Sequence, residues 1–136
     1  MILTFEDSEE EILNRIISYV GIEARAFQVA EIVKTNLNFN GLEIDITNRL
    51  VRKQRQEIDL TFIEFEILHL LARNPGRVFS KEQIYNSVWK EPYFGDYNIV
   101  MSHIRNIREK IEDNPSKPIY IQTVWGVGYK FNNKLK

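Results

Sequence analysis

The chain has 136 residues, 43% apolar, 27% charged and 12% aromatic, which is the composition of a folded globular chain and not of a disordered or fibrous one. It contains no cysteine, so a disulfide framework, a thiolate zinc site and a cysteine nucleophile are excluded. No apolar run approaches the roughly 18 residues of a membrane-spanning helix, so no membrane association is expected, and the opening MILTFEDSEE lacks the basic-then-apolar order of a secretory signal.

A cytoplasmic location follows as the expectation. The net charge of −1 hides an asymmetry. Residues 1–36 hold Arg15, Arg25 and Lys34 against seven acidic residues, a net of −4, whereas residues 37–136 hold fifteen basic and twelve acidic, a net of +3. A nucleic-acid binder with so small a surplus must concentrate its positive charge locally.

The expected division is an N-terminal helical segment and linker at 1–36 and a folded domain at 37–136. Residues 8–20 predict a short amphipathic helix. Ser8 and Glu11 have capping-box spacing, Ile12, Leu13, Ile16, Ile17 and Val20 repeat at helical period, and Gly21 ends it. Residues 22–35 carry Ile22, Ala26, Val29 and Val33 and suit either a helix or an extended linker. Between Leu37 and Leu60 the period changes to two. Leu42, Ile44 and Ile46 alternate with Glu43, Asp45 and Thr47, and turn signals fall at Asn40–Gly41, Thr47–Asn48 and around Gln54 to Gln56. Three or four short antiparallel strands are expected there.

Thr61 with Glu64 then opens a helix whose apolar face holds Ile63, Ile67, Leu70 and Leu71, widened by Phe62, Phe65 and Leu68. Asn74-Pro75-Gly76 stops it. Ser80 with Gln83 opens a second helix through about Lys90. Residues 91–95 form a loop. Asp96 can cap a longer helix over 97–113, stopped by Asn114-Pro115. The closing PIYIQTVWGVGYKF has β-branched and aromatic residues on both sides of Gly126 and Gly128, the pattern of a hairpin with a glycine tip. Strands, three helices and a terminal hairpin predict an α+β fold of winged helix-turn-helix type, with an N-terminal antiparallel sheet, a three-helix core and a C-terminal β-hairpin wing.

At about 100° per residue, Val100, Ile104, Ile107 and Ile111 share one narrow arc, which must be the buried side of the third helix. The opposite arc holds Asn98, Ser102, Arg105, Asn106 and Glu109, with His103 and Lys110 on one flank and Met101 and Arg108 on the other. Asn can pair bidentately with adenine and Arg with guanine, and Arg108, Lys110 and His103 suit phosphates. The same groups would equally serve a solvated helix surface. A GVG tip lets a backbone approach a phosphate chain closely. Trp125 and Tyr129 beside it are either contacts to a partner or ordinary hairpin aromatics.

Three stretches carry a specific resemblance: LTFIEFEILHLLARNPGRVFSKEQIYNSVW, YFGDYNIVMSHIRNIREKIEDNP and PIYIQTVWGVGYKF. Over residues 37–131 the chain resembles the C-terminal effector domain of OmpR/PhoB-type response regulators. The resemblance implies sequence-specific binding of double-stranded DNA by a transcriptional regulator, with helix 97–113 in the major groove and wing 123–129 at the minor groove. It also implies a homodimer on repeated half-sites and a contact to RNA polymerase through loop 91–97. His103, Arg105 and Arg108 match DNA-contacting positions of the family, and Trp89 and Thr123 match positions that meet the phosphate backbone. The chain departs from the family at Asn98 and Asn106, where Arg is frequent, at Met101, where Asp is common, and at Trp125, where a minor-groove Arg is often found. The expected DNA-contacting set is Asn98, Ser102, His103, Arg105, Asn106, Arg108, Lys110, Trp89, Thr123, Trp125 and Gly126.

A complete regulator of this kind carries a phosphorylatable receiver, which thirty-six residues cannot hold. LTFEDSEEEILNRI resembles the close of a receiver, with Leu3-Thr4 where the family has Lys-Pro. Residues 8–20 are therefore either a remnant of a receiver's last helix or an unrelated amphipathic helix. Winged helices also bind proteins, and a protein-interaction module is the alternative function. An enzyme is not expected. The two histidines, His69 and His103, fall in different helices, and neither HExxH, GxSxG nor a carboxylate cluster of metal spacing is present. Nothing in the sequence calls for a cofactor or a metal.

Overall fold

The computed structural model describes residues 36–90 and 97–135. The chain divides into two units between Asn36 and Leu37, and the described residues other than Asn36 belong to the second. The helix expected at 8–20, the segment 22–35 and the loop 91–96 with its Asp96 cap lie outside the described residues.

Four short strands come first: β1 (Asn36–Phe39), β2 (Leu42–Asp45), β3 (Leu50–Lys53) and β4 (Gln56–Ile58), in the sheet order β1-β2-β3-β4. The alternation in sequence becomes a two-faced sheet. Leu42 and Ile44 are buried while Glu43 is exposed, and Ile44 faces Val51, which in turn faces Ile58. The β1–β2 turn is made by Asn40 and Gly41, at φ 46° and 92°. The β3–β4 turn places Gln54 and Arg55 at φ 52° and 69°, the two left-handed residues that match a hairpin's twist. Side chains other than Asn and Gly adopt that region at a cost of about 1 kcal/mol each, so this turn is held by its strands and not chosen by its residues.

Three helices follow: α1 (Phe62–Ala72), α2 (Lys81–Trp89) and α3 (Tyr97–Ile111). The capping boxes expected at Thr61 and at Ser80 close. The Glu64 amide donates to Thr61 Oγ1 at 3.2 Å and the Thr61 amide to Glu64 Oε1 at 3.0 Å. The Gln83 amide donates to Ser80 Oγ at 3.1 Å, and the Ser80 amide returns a bond to Gln83 Oε1 at 2.9 Å.

α1 runs through the centre of the core, with Glu64, Phe65, Ile67, Leu68, Leu70, Leu71 and Ala72 all buried. Phe62, expected to widen its apolar face, is instead 66% exposed. It stands at the first helical position, where the Arg49 guanidinium lies 4.6 Å from its ring and 4.3 Å from that of Phe65 and donates to Glu66 at 2.7 Å. α3 ends at Ile111 rather than at Asp113. The Glu112 amide still donates to the Arg108 carbonyl at 2.9 Å, while its carboxylate accepts from the Ile119 amide and Asp113 pairs with Lys53.

The hairpin is β5 (Ile121–Val124) and β6 (Gly128–Phe131), antiparallel, with Ile121 facing Phe131 and Val124 facing Gly128. Tyr120, Ile121, Tyr129 and Phe131 from this end complete a core shared with the sheet and all three helices. The Tyr120 hydroxyl reaches back to donate to the Asn40 carbonyl at 2.8 Å. Phe79 adds a bridge to the hairpin's outer strand, exchanging amide bonds with Tyr129 at 2.8 and 2.9 Å. Helix, turn, helix and a docked hairpin behind a small antiparallel sheet make this a winged helix-turn-helix, the fold expected from the sequence.

Candidate nucleic-acid interface

The two sides of α3 separate as its periodicity requires. Val100, Ile104, Ile107 and Ile111 are all buried to 1% exposure or less. On the other side Asn98, Arg105 and Glu109 are exposed, and Ser102 and Asn106 are half-buried. Three short polar side chains, one guanidinium and the Glu109 carboxylate therefore line the helix face turned away from the core, beside Met101 at 44% exposure.

The flanking residues are committed to the fold. Lys110 donates to the buried Glu64 at 2.7 Å, turning it toward α1 and away from the outer row. Burial alone would raise the Glu64 carboxyl. Hydrogen bonds from Lys110 and the Thr61 amide, with the charges of Lys110 and His103, outweigh that and hold it below its usual range. His103 packs its ring 5.7 Å from Trp89, which stacks on Tyr85 at 4.7 Å and 8°. His103 Nδ1 is buried and unpartnered among the described residues.

Arg108 is the clearest departure from a free phosphate ligand. Its Nε and Nη2 donate to the Ile121 carbonyl at 3.2 and 3.0 Å, and Nη2 donates also to Thr123 Oγ1 at 2.8 Å. The guanidinium stands 5.6 Å from the Tyr129 ring centroid, and its burial there lowers its pKa. One turn on, Glu112 accepts from the amides of Ile119 at 2.7 Å, Tyr120 at 3.1 Å and Ile121 at 2.9 Å. The peptide groups of Ile121 are thus gripped at both ends, the amide by Glu112 and the carbonyl by Arg108. This is how the hairpin is fixed to the helix.

At the far end of the hairpin the Val127 amide donates to the Val124 carbonyl at 2.9 Å, closing a turn of Trp125, Gly126 and Val127. Trp125 is 88% exposed and Val127 56%. Trp125 is therefore a surface ring and not a hairpin core aromatic, whereas Tyr129, at 7% exposure, is one. Gly126 is the tip, at φ 78° with nothing within 4 Å of the space a Cβ would fill. Gly128 is not part of the tip. A Cβ there would lie 2.0 Å from the Phe79 carbonyl oxygen, so its close approach is to the chain's own backbone and not to a phosphate. An open groove of about 320 Å³, lined by Lys81, Glu82, Met101, Thr123, Trp125 and Val127 among others, separates this tip from the first turn of α2 and from Met101 of α3.

The structure brings Arg108 to Thr123 and Trp89 to His103, and it sets Trp125 and Gly126 across the groove from Met101. Sequence reasoning missed Glu112, Val127 and the commitment of Lys110. Glu112 did carry a signal, since an acid at a helix C-terminus is disfavoured by the helix dipole and calls for a tertiary partner. Among the described residues no group of acidic and histidine side chains is placed to hold a metal, and no helix is long and apolar enough to cross a membrane.

A helix with a polar outer row, preceded by a helix and turn and locked to a hairpin at its side, places the chain in the class of winged helix-turn-helix domains. Residues 55–131 match the family model described as "Transcriptional regulatory protein, C terminal", and the chain belongs to that family, one of regulators and not of enzymes. It is 40% identical over 125 residues to the transcriptional regulatory protein YrkP of Bacillus subtilis, covering 91% of this chain and 54% of that one. Among solved structures it resembles DrrB, an OmpR/PhoB homologue of Thermotoga maritima, with a TM-score of 0.68 and 35% identity over 96% of this chain and 55% of that one. It also resembles the Klebsiella pneumoniae RstA DNA-binding domain solved in complex with the RstA box, with a TM-score of 0.67 and 29% identity over 71% of this chain and 96% of that one. The chain spans about half the length of the curated relatives it matches.

Proposed function

We propose that residues 37–136 bind double-stranded DNA sequence-specifically as the effector part of a transcriptional regulator, with α3 in the major groove and the hairpin at the minor groove. The observation that carries this is the outer row of α3. Asn98, Ser102, Arg105 and Asn106 stand opposite a fully buried apolar row, and Arg108 and Glu112 set the hairpin at a fixed distance beside them. Amide and guanidinium groups in such a row suit the edges of adenine and guanine. The RstA domain, solved in complex with the RstA box, supports the same use of the fold.

In this assignment Asn98, Ser102, Arg105 and Asn106 meet base edges. His103, Trp89 and Thr123 lie along sugar and phosphate, and Trp125 and Gly126 meet the minor groove. Arg108 and Lys110 approach the phosphates only with the N–H groups that their internal bonds leave over. Two copies occupy repeated half-sites, and the segment 91–97 offers a contact to RNA polymerase. Residues 1–36 are read as a segment similar to a receiver's last helix, followed by a linker. The match to YrkP extends into this segment, since 91% of the chain cannot be covered without it.

Selection of bound duplexes from a random pool tests the proposal. One enriched half-site, recurring at a fixed spacing, is expected. Failure to retain any duplex at low salt would overturn it in favour of a protein-interaction module.

A further inference from the structure

Narrow minor grooves draw in Arg, Lys or His through their enhanced negative potential. The tip of this hairpin carries none of these. It presents Trp125, Gly126 and Val127, the first 88% and the third 56% exposed. We propose, resting on the DNA-binding function above, that Trp125 and Val127 form an apolar wedge that enters the minor groove, partly unstacks one base step and bends the duplex. The wing then selects a flexible pyrimidine–purine step instead of a narrow A-tract.

Four features favour a wedge. The tip is slender, because Gly126 places no side chain between the two apolar ones and, its two chain neighbours apart, nothing stands within 4 Å of where its Cβ would be. It is stiffly mounted. Arg108 and Glu112 hold Ile121 from α3, and Phe79 is bonded to Tyr129 on the other strand. A wedge must keep its shape while a base step opens at a cost of a few kcal/mol, and a loosely hinged loop would yield first. Met101, itself 44% exposed, lines the same groove from α3 and continues the apolar surface from the helix to the tip, where a sugar edge would pass. Finally, three apolar side chains fall far short of the roughly 1,000 Å² that a specific protein partner requires, whereas a single base step is of their size.

The test uses the full chain and short end-labelled duplexes carrying the selected half-site, with the step facing the wing varied between TA, CA and an A-tract. The expected result is bending, read by energy transfer between the duplex ends, together with quenching of the tryptophan signal that Trp125→Phe reduces. Trp125→Ala should keep its thermal midpoint, since the ring is exposed, while losing the bend and about tenfold in affinity on TA and CA sites, the loss typical of one base-pair contact. Trp125→Arg should move the preference toward the A-tract. If the native chain binds the half-site but Trp125→Ala bends and binds it equally well, the wedge is wrong and the DNA-binding function stands. Loss of self-association in Trp125→Ala with the bend retained would also overturn it, by assigning the tip to a second copy. If the native chain binds no duplex, both fall together.

Discussion

Arg108 shows how far a single residue's chemistry can be separated from its apparent role. Its position on the flank of α3 suits a phosphate, and its charge agrees, yet the guanidinium fork is spent on the Ile121 carbonyl and the Thr123 hydroxyl. Arg108→Ala is expected to lower the stability measured by urea unfolding by about 1–3 kcal/mol, the cost of leaving a partly buried acceptor unsatisfied. Arg108→Lys should recover only part of this, because one ammonium lacks the planar fork that reaches two acceptors. Unchanged stability with weakened DNA binding would return the residue to the phosphate. The two glycines near the wing differ in the same way. Gly128→Ala drives a methyl against the Phe79 carbonyl and should cost about 2–3 kcal/mol as strain in a packed site. Gly126→Ala meets open space and pays only for its left-handed φ of 78°, about 1 kcal/mol. Equal losses for the two variants by thermal unfolding would refute the distinction.

Elements were legible where their signals are local. Thr61–Glu64 and Ser80–Gln83 fixed two helix starts because a capping box spans only four residues, and the Val100-to-Ile111 row fixed the buried side of α3 by spacing alone. The β3–β4 turn at Gln54–Arg55 carried no glycine and showed only as a polar break, since its strands impose the left-handed backbone. The exposure of Phe62 and the clamp from α3 to the hairpin depend on partners distant in sequence, which periodicity does not contain. Glu64 joins the two kinds of signal, being a local cap that also receives Lys110 from α3. Its carboxyl titrates below the ordinary value of 4.5. The folded state therefore gains from its ionisation above that value, and the gain disappears as pH falls through the lowered one. Glu64→Gln should flatten the loss of stability below about pH 4.5 while lowering stability at neutral pH. If thermal midpoints of the two proteins ran parallel down the acid limb, the pairing of α1 with α3 would carry no electrostatic weight.

On the scale of the whole molecule, charge and core divide the chain differently from its near-neutral total. Residues 37–136 form a compact unit of their own with a buried core running from Leu42 to Phe131, and they are expected to unfold as one cooperative body. That body carries a net +3, with Arg105 exposed on α3, while Lys110 and Arg108 are engaged internally. Neutralising two or three phosphates would give a log–log salt slope of about −2 to −3 per bound body, shallow for a DNA-binding domain. The front segment adds a net −4 and repels the same phosphates over a distance set by screening, about 10 Å at 0.1 M salt and 3 Å at 1 M. On a duplex with a single half-site, where dimer contacts cannot contribute, removing residues 1–36 should tighten binding at low salt and steepen the slope, with the two affinities converging as salt rises. A truncated chain that binds more weakly than the intact one across the whole salt range would instead mean that the acidic segment supports the bound state directly.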